Sequence, residues 1–315
     1  MITVGTWNLE NLFRPSSDPS PESQAAYEAK LTALAQTITE LAPDVLAVQE
    51  VGEAEALGDL MDRLDVTRHT ALADPDGRGI RVGVLSRLPI NGIEQIVNFP
   101  DGLRPIQVDD TGIPMTEMGR PALCVRAESD AGTALKVISC HLKSKLLTFP
   151  AGASLPTTRM NGPASPSMPS TAGRPKQPPS ALSPPACWPE MASTMPLSWP
   201  VTSMTNRRRP PPSFCTVRQV RRSVPTGFDR PDSGDGQRLW NLAPLIPDNQ
   251  RFSRVFRGRG ELIDHLLVSH ALVKAVQTVT MGEIAIPSIT EQPTERHNEP
   301  GSDHRPVVAV FDLVS

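Results

Sequence analysis

The chain has 315 residues, 38% of them hydrophobic and 21% charged, with a formal net charge of −3 at pH 7. This is the composition of a soluble globular protein long enough to bury a substantial core, as one large domain or two ordinary ones. No apolar run approaches the roughly 18 residues that span a bilayer, so no membrane span is expected. The opening MITVGTWNLENLF lacks the basic start and long apolar stretch of a secretory leader, which predicts a cytoplasmic protein. Cys124, Cys140, Cys187 and Cys215 form no CxxC pair and no metal-site spacing, and read as buried or incidental thiols.

In chain order, MITVGTW opens as a short strand of β-branched alternation. Ser20-Pro21 offers an N-cap and a first helical residue. Tyr27, Leu31, Leu34, Ile38 and Leu41 then recur at spacings of four and three, one apolar helix face. DVLAVQEV (44–51) reads as a buried strand ending on polar residues, and EAEALGDLMDRL as a second helix. Further strands are expected at IRVGVLS (80–86), PALCVRAES (121–129), ALKVISCHL (134–142), ELIDHLLVS (261–269) and RPVVAVFDL (305–313). Many strands with a few interleaved helices predict an α/β sandwich of two sheets with helices on the outer faces. The pattern is not a strict βαβ alternation, and no internal repeat is visible.

One block breaks this pattern. Residues 151–226 hold sixteen of the 34 prolines and nine Lys/Arg but a single acid, Glu190, for a net charge of +8; the rest of the chain carries −11. Such a shift ordinarily marks a disordered linker. Here it interrupts what otherwise reads as one domain, 1–315.

Chemistry is carried by polar residues at strand ends. Asn8 and Glu10 share one face if the first strand continues that far. Glu50 ends an apolar strand, where a carboxylate either faces solvent or ligates a hard cation. His141 ends another strand and is followed by Lys143 and Lys145; it could equally cap the sheet beside a solvated face. Asp264, flanked by Leu262, Ile263 and Leu266, needs a cation or an imidazole as partner, because an unpaired buried charge costs several kcal/mol. Asp303 and His304 enter the last strand together. On an extended chain they point opposite ways, so His304 could face Asp264 while Asp303 faces a metal.

The ordered set WNLEN, QEV, HLKSK, ELIDHLLVS and SDHRP resembles the endonuclease/exonuclease/phosphatase superfamily, with its deoxyribonuclease-I-like fold. That resemblance implies a four-layered α/β sandwich with two central mixed β-sheets and a site at one sheet edge. It implies divalent-metal-dependent hydrolysis of a phosphate ester with Mg²⁺ (or Mn²⁺). Glu50 matches the principal metal ligand, and Asn8, Glu10 and Asp303 are further contacts, direct or through water. His304 matches the base that activates water, oriented by Asp264, and His141 the donor to phosphate oxygens. Arg120 is a phosphate contact or a surface arginine. No obligate protein partner is inferred.

One family signature, a Gly-Asp-x-Asn loop between the His141 and Asp264 strands, is absent from 142–260. The stretch PVTSMTNRRRPPP stands at about its position. Met is encoded only by ATG and every Thr codon begins AC, so the frame starting at the last base of the Met204 codon reads aspartate. The same frame through 200–203 allows Gly, Asp, Val and Asn, and the stretch can conceal Gly-Asp-Val-Asn-Asp. Residues 151–226 are therefore expected to be an out-of-frame, disordered segment, with the frame regained at GFDRPD. The chain as written is then impaired.

Nucleic acid is the expected substrate, from the likeness of TWNLENLF to bacterial nucleases. The acidic recognisable part argues little for it, and Arg251, Arg254, Arg257 and Arg259 form either a phosphate-binding run or a solvated loop. Alternatives are a phosphatase or phosphodiesterase acting on a small molecule or lipid headgroup, and a catalytically inactive relative. No GxxxxGK[ST] loop and no strand-linked GxGxxG suggest a kinase or nucleotide-binding fold.

Overall fold

The structure, a computed structural model, describes residues 1–15, 21–99, 116–129, 132–142, 238–290 and 292–313, with the backbone of 198–203 and 216–219. These residues belong to one compact unit, Met1–Lys145 with Pro196–Ser315; a second unit, Leu146–Met195, lies outside the described residues, as do Lys143 and Lys145.

The elements follow in chain order as β1 (Ile2–Leu12), α1 (Gln24–Leu41), β2 (Val45–Val51), α2 (Ala54–Met61), β3 (His69–Leu72) and β4 (Arg81–Ser86). Next come β5 (Ile90–Asn98), β6 (Glu117–Glu128), β7 (Ala134–His141), β8 (Ser198–Ser203), β9 (Thr216–Gln219) and β10 (Arg238–Asn241). The last are β11 (Arg254–Phe256), β12 (Arg259–Glu261), β13 (Leu267–Ser269), α3 (His270–Val273), β14 (Val276–Met281), β15 (Ser288–Ile289) and β16 (Val307–Phe311). They build a six-stranded sheet in the order β14-β16-β1-β2-β4-β3 and a seven-stranded sheet in the order β5-β6-β7-β8-β13-β10-β9. Both are mixed: β1 runs parallel to β2 but antiparallel to β16, and β8 parallel to β13 but antiparallel to β7. This is the expected α/β sandwich with two central mixed sheets. Strands β11, β12 and β15 form a small third sheet.

Alternation along the strands assigns each face to one of two cores. Ile2, Val4, Val45, Val82 and Val84 meet Leu123, Val125, Leu135 and Val137 between the sheets. Trp7, Leu9, Leu46, Val48 and Leu85 face the other way, onto α1 and α2. Helix α1 buries Tyr27, Leu31, Leu34 and Ile38 as the spacing predicts, while Leu41 is half-buried. Its cap is Ser23, not Ser20: the Ser23 side chain accepts from Ala26 N, and the helix begins three residues beyond Pro21.

One expectation needs correction. The predicted strand 261–269 is broken: β12 ends at Glu261 and β13 starts at Leu267, with Asp264 in the extended link between them. Asp264 forms an isolated bridge there, and its backbone N–H bonds to the Ser253 side chain. Of the block 151–226, the structure describes only the backbone of 198–203 and 216–219, as β8 and β9; the rest lies outside the described residues.

Candidate active site

Both strands of the β1–β2 pair bulge where the site begins. On β2, Leu46 and Val48 point into the helix-side core, and alternation would send residue 50 after them. Val51 takes that place instead. Register shifts between Gln49 and Val51 on one side and Asn8 and Leu12 on the other leave Glu50 outside the ladder. Glu10, Asn11 and Glu50 all have positive φ, at 51°, 55° and 59°, a strained conformation for such residues. What holds the bulge is hydrogen bonding to the carboxylate itself: Asn8 Nδ2 donates to Glu50 Oε1 at 2.8 Å and Asn11 N to Oε2 at 3.2 Å.

Strand β7, in the facing sheet, ends at His141, whose Nε2 lies 3.6 Å from Glu50 Oε1. Burial pushes His141 down to about 4, with Glu50 pulling the other way, so the ring is neutral at pH 7. Burial also opposes the charge on Glu50; His141, the Asn8 amide, His304 and Arg120 outweigh it and hold the carboxyl below its usual range. Between the sheets, Gln49 Nε2 donates to Thr6 Oγ1 at 3.2 Å and to Ser139 Oγ at 3.3 Å, all three residues fully buried. These polar residues precede Glu50, Asn8 and His141 by one or two positions, so they tie the two sheet edges together directly behind the site.

The segment 301–304 completes it. Gly301 has φ +79°, which suits glycine. Ser302 Oγ donates to Asn8 O at 2.7 Å and accepts from His304 N at 3.0 Å, and Trp7 Nε1 donates to His304 O at 2.8 Å. His304 Nδ1 lies 2.7 Å from Asp264 Oδ2, whose side chain is fully buried, and His304 Nε2 lies 3.8 Å from Asp303 Oδ1. The pairing of His304 with Asp264 is the expected one. The opposed orientation of Asp303 and His304 is not: the backbone bends here ahead of β16, and the two side chains approach each other. Burial alone would lower His304, but Asp264 and Asp303 dominate and raise it to about 9. Burial pushes Asp303 up to about 6, reinforced by Glu10 and Glu50 and opposed by His304.

Two predicted contacts are committed elsewhere. Glu10 does not share a free face with Asn8. Its carboxylate takes both Arg296 Nε at 2.6 Å and Nη2 at 2.9 Å, and also accepts from Asp303 N at 2.8 Å. Arg120 is no open phosphate contact: it is buried against Asp76, with Nη2 at 2.6 Å from Oδ2, and its Nη1 donates to His141 O at 3.0 Å. It is a strut under His141. The arginine run is likewise partly used. Arg251 binds Ile246 O and Asp248, and Arg254 pairs with Glu261, while Arg259 is exposed.

Arg296, Asp76 and Lys30 are site-supporting residues that the sequence reading missed. Lys30 Nζ donates to Gly301 O at 2.7 Å from a buried position on α1. Burial pulls its ammonium below the usual value, with Glu10 pulling upward. A signal existed for it, since Lys30 stands on the apolar helix face between Tyr27 and Leu34. Nothing in the local sequence marks Arg296 or Asp76.

The block's contribution can be read from backbone register. β8 starts with Ser198 opposite His141 and runs away from the site, reaching Lys136 at Ser203. The backbone of 200–203 therefore pairs with β7 progressively farther from His141. Cys124 is buried and Cys140 half-buried, both free, with burial pushing the Cys140 thiol up to about 12; Cys187 and Cys215 lie outside the described residues. Among the described residues no helix is long and apolar enough to cross a membrane, and no group of three or more His, Cys, Asp or Glu is arranged to enclose a metal ion.

Among solved structures, the chain is similar to an endonuclease/exonuclease/phosphatase family protein from Leptotrichia buccalis, at 12% identity and TM-score 0.45 over 99% of this chain and 100% of that one. A family protein from Bacteroides vulgatus gives 11% identity and TM-score 0.42 over 99% of each chain. Truncated TDP2 of Caenorhabditis elegans gives 11% and 0.39 over 98% of this chain and 97% of that one. No curated protein matches the chain. The model of the Endonuclease/Exonuclease/phosphatase family matches residues 5–177, more than half the chain, from the TWNLEN strand through His141 and into the proline-rich block. By that match the chain belongs to the Endonuclease/Exonuclease/phosphatase family.

Proposed function

We propose that this cleft is the site of a divalent-metal-dependent phosphodiesterase acting on nucleic acid, impaired in the chain as written because the Gly-Asp-x-Asn loop is missing. The observation that carries the reading is the convergence of five separated segments. Glu50 lies 3.6 Å from His141 and Asp303 3.8 Å from His304, with Asn8 and Asp264 as their hydrogen-bonded supports and the Ser302–Asn8 bond joining the two pairs.

The donor set fits a hard cation. Glu50 and Asp303 are two largely buried carboxylates of like charge. Asp303 accepts no side-chain hydrogen bond among the described residues, and burial raises its value, reinforced by the charges of Glu10 and Glu50. Magnesium typically takes one or two protein carboxylates and keeps waters for the rest, so Glu50 and Asp303, with Asn8 through water, would hold Mg²⁺ or Mn²⁺. Glu10 would act at one remove, through Arg296 and the Asp303 amide. A bound ion would polarise the phosphoryl oxygen and offset charge developing on the leaving group.

The chain's own residues supply the rest. With Nδ1 fixed on Asp264, His304 offers Nε2 toward the cleft as the base that takes a proton from the attacking water. Its value near 9 is set largely by Asp264 and Asp303. Neutralising Asp303 lowers it toward the range where a base works at neutral pH. Neutral His141 presents a ring N–H to a phosphate oxygen as charge builds there, its backbone fixed by Arg120.

The test compares the chain as written with one in which 151–226 is replaced by the shifted-frame translation. Nicked plasmid, single-stranded DNA, RNA and bis-p-nitrophenyl phosphate are the substrates, with and without Mg²⁺. The expected result is metal-dependent cleavage of a nucleic acid by the restored chain and far slower cleavage by the written one. Turnover of the small ester alone would move the reading to a phosphatase or lipid-headgroup enzyme. Inactivity on every substrate after restoration would leave a binding relative.

A further inference from the structure

Ser253 is fully buried and bonds to the main chain on both sides of the His304–Asp264 pair. Its Oγ accepts from Ile263 N at 3.0 Å and Asp264 N at 3.2 Å. Its carbonyl accepts from Arg305 N, the residue after His304, at 2.7 Å, and its own N–H donates to Glu261 O at 2.9 Å. One residue thus fixes the backbone that carries the aspartate and the backbone that carries the histidine. Asp264 makes a single bridge within the link 262–266, which otherwise lies outside the strands, and the hydroxyl accepts from two consecutive N–H groups of the link.

We propose that Ser253 is the positioning residue that sets the His304–Asp264 separation. Asp264 can orient the imidazole only while its own main chain is held. With the Oγ removed, two buried N–H groups lose this acceptor, and the link loses the two bonds that tie it to Ser253. A shift of about 1 Å is enough to cost about 10²-fold in rate at a site of this kind. The catalytic consequence rests on the hydrolase reading above; the hydrogen-bond geometry does not.

The experiment reads the pair directly in the ¹⁵N-labelled full chain, through the Nδ1 proton resonance of His304, identified by its loss in His304→Gln. Ser253→Ala should lose or broaden that resonance while circular dichroism and methyl spectra stay those of a folded chain. Ser253→Thr, which keeps the oxygen, should retain it. In the frame-restored chain, Ser253→Ala should lower kcat by about 10²-fold with KM within about twofold, and threonine should recover most of the loss. A folded Ser253→Ala chain with the resonance unchanged overturns the proposal, as does a threonine variant as defective as alanine. Should alanine fail to fold, Ser253→Cys, of similar volume but a weak acceptor, is read the same way. Failure of both to fold makes Ser253 a residue of the fold alone and also overturns it. Absence of activity with the resonance behaving as expected would count against the hydrolase reading and leave Ser253 in its role.

Discussion

The two sheets bring unequal halves to the cleft. From the six-stranded sheet come Asn8, Glu10 and Glu50, joined by the 302–304 segment that leads into β16. There Ser302, Trp7, Arg296 and Asn11 satisfy carboxylates and carbonyls at 2.6–3.2 Å. From the seven-stranded sheet comes His141, whose Nδ1 is buried without a hydrogen-bond partner among the described residues. Beside it stands β8, which starts at the site and leads away. The first half is built from acidic, motif-bearing sequence, and the second borders a block with one acid in 76 residues. On the out-of-frame reading proposed for that block, secondary structure tolerates the change, since backbone pairing needs only a chain of strand length. Catalysis does not, because it needs particular side chains at one end of the strand.

The largest effect should come from repairing the weaker half. Replacing 151–226 by the shifted-frame translation is expected to raise Mg²⁺-dependent cleavage by at least about 10³-fold, measured as initial rates on nicked plasmid. An unchanged rate would mean that the block is not where activity was lost. Next in size, Glu50→Ala or His304→Ala in the restored chain should each lower kcat by about 10²–10⁴-fold. Near-normal turnover in either would remove that residue from the mechanism.

A smaller effect belongs to the intact half and needs no activity. The folded value of His304, about 9, lies above its ordinary 6.5. Its contribution to stability is therefore fully present below pH 6.5 and is lost as pH rises through about 9. Metal-free chain unfolded by urea should lose on the order of 3 kcal/mol over that window, and His304→Gln should flatten the loss. Added Mg²⁺ should shrink it by neutralising Asp303. Smallest of all, Trp7→Phe removes one buried donor to the His304 carbonyl and should cost about 1 kcal/mol in the same urea titration. A neutral result there would mean that the carbonyl finds another donor.

What the sequence made legible follows the range of the interactions. Strand ends, the α1 face and the polar residues of WNLEN, QEV and SDHRP could be read because their spacing is local and their surroundings are apolar. The bulge that ejects Glu50 was not legible, since it depends on register with β1 and β4 together. The Arg296–Glu10 pair spans 286 residues of sequence and has no local trace. Arg120 was read as a phosphate contact or a surface arginine, because an arginine near a strand gives no hint of Asp76, 44 residues earlier, which pairs with it. Lys30 was the missed opportunity: a lysine inside an apolar helix stripe calls for a buried acceptor, and Gly301 O provides it.

The central claim is that Glu50 and Asp303 share one hard cation beside both histidines. Titrating Mn²⁺ into the ¹⁵N-labelled full chain tests it without requiring turnover. The account predicts paramagnetic broadening of the His141 and His304 ring resonances at substoichiometric ion, abolished in Glu50→Gln/Asp303→Asn. Broadening that spares both rings, or that persists in the double variant, would contradict it.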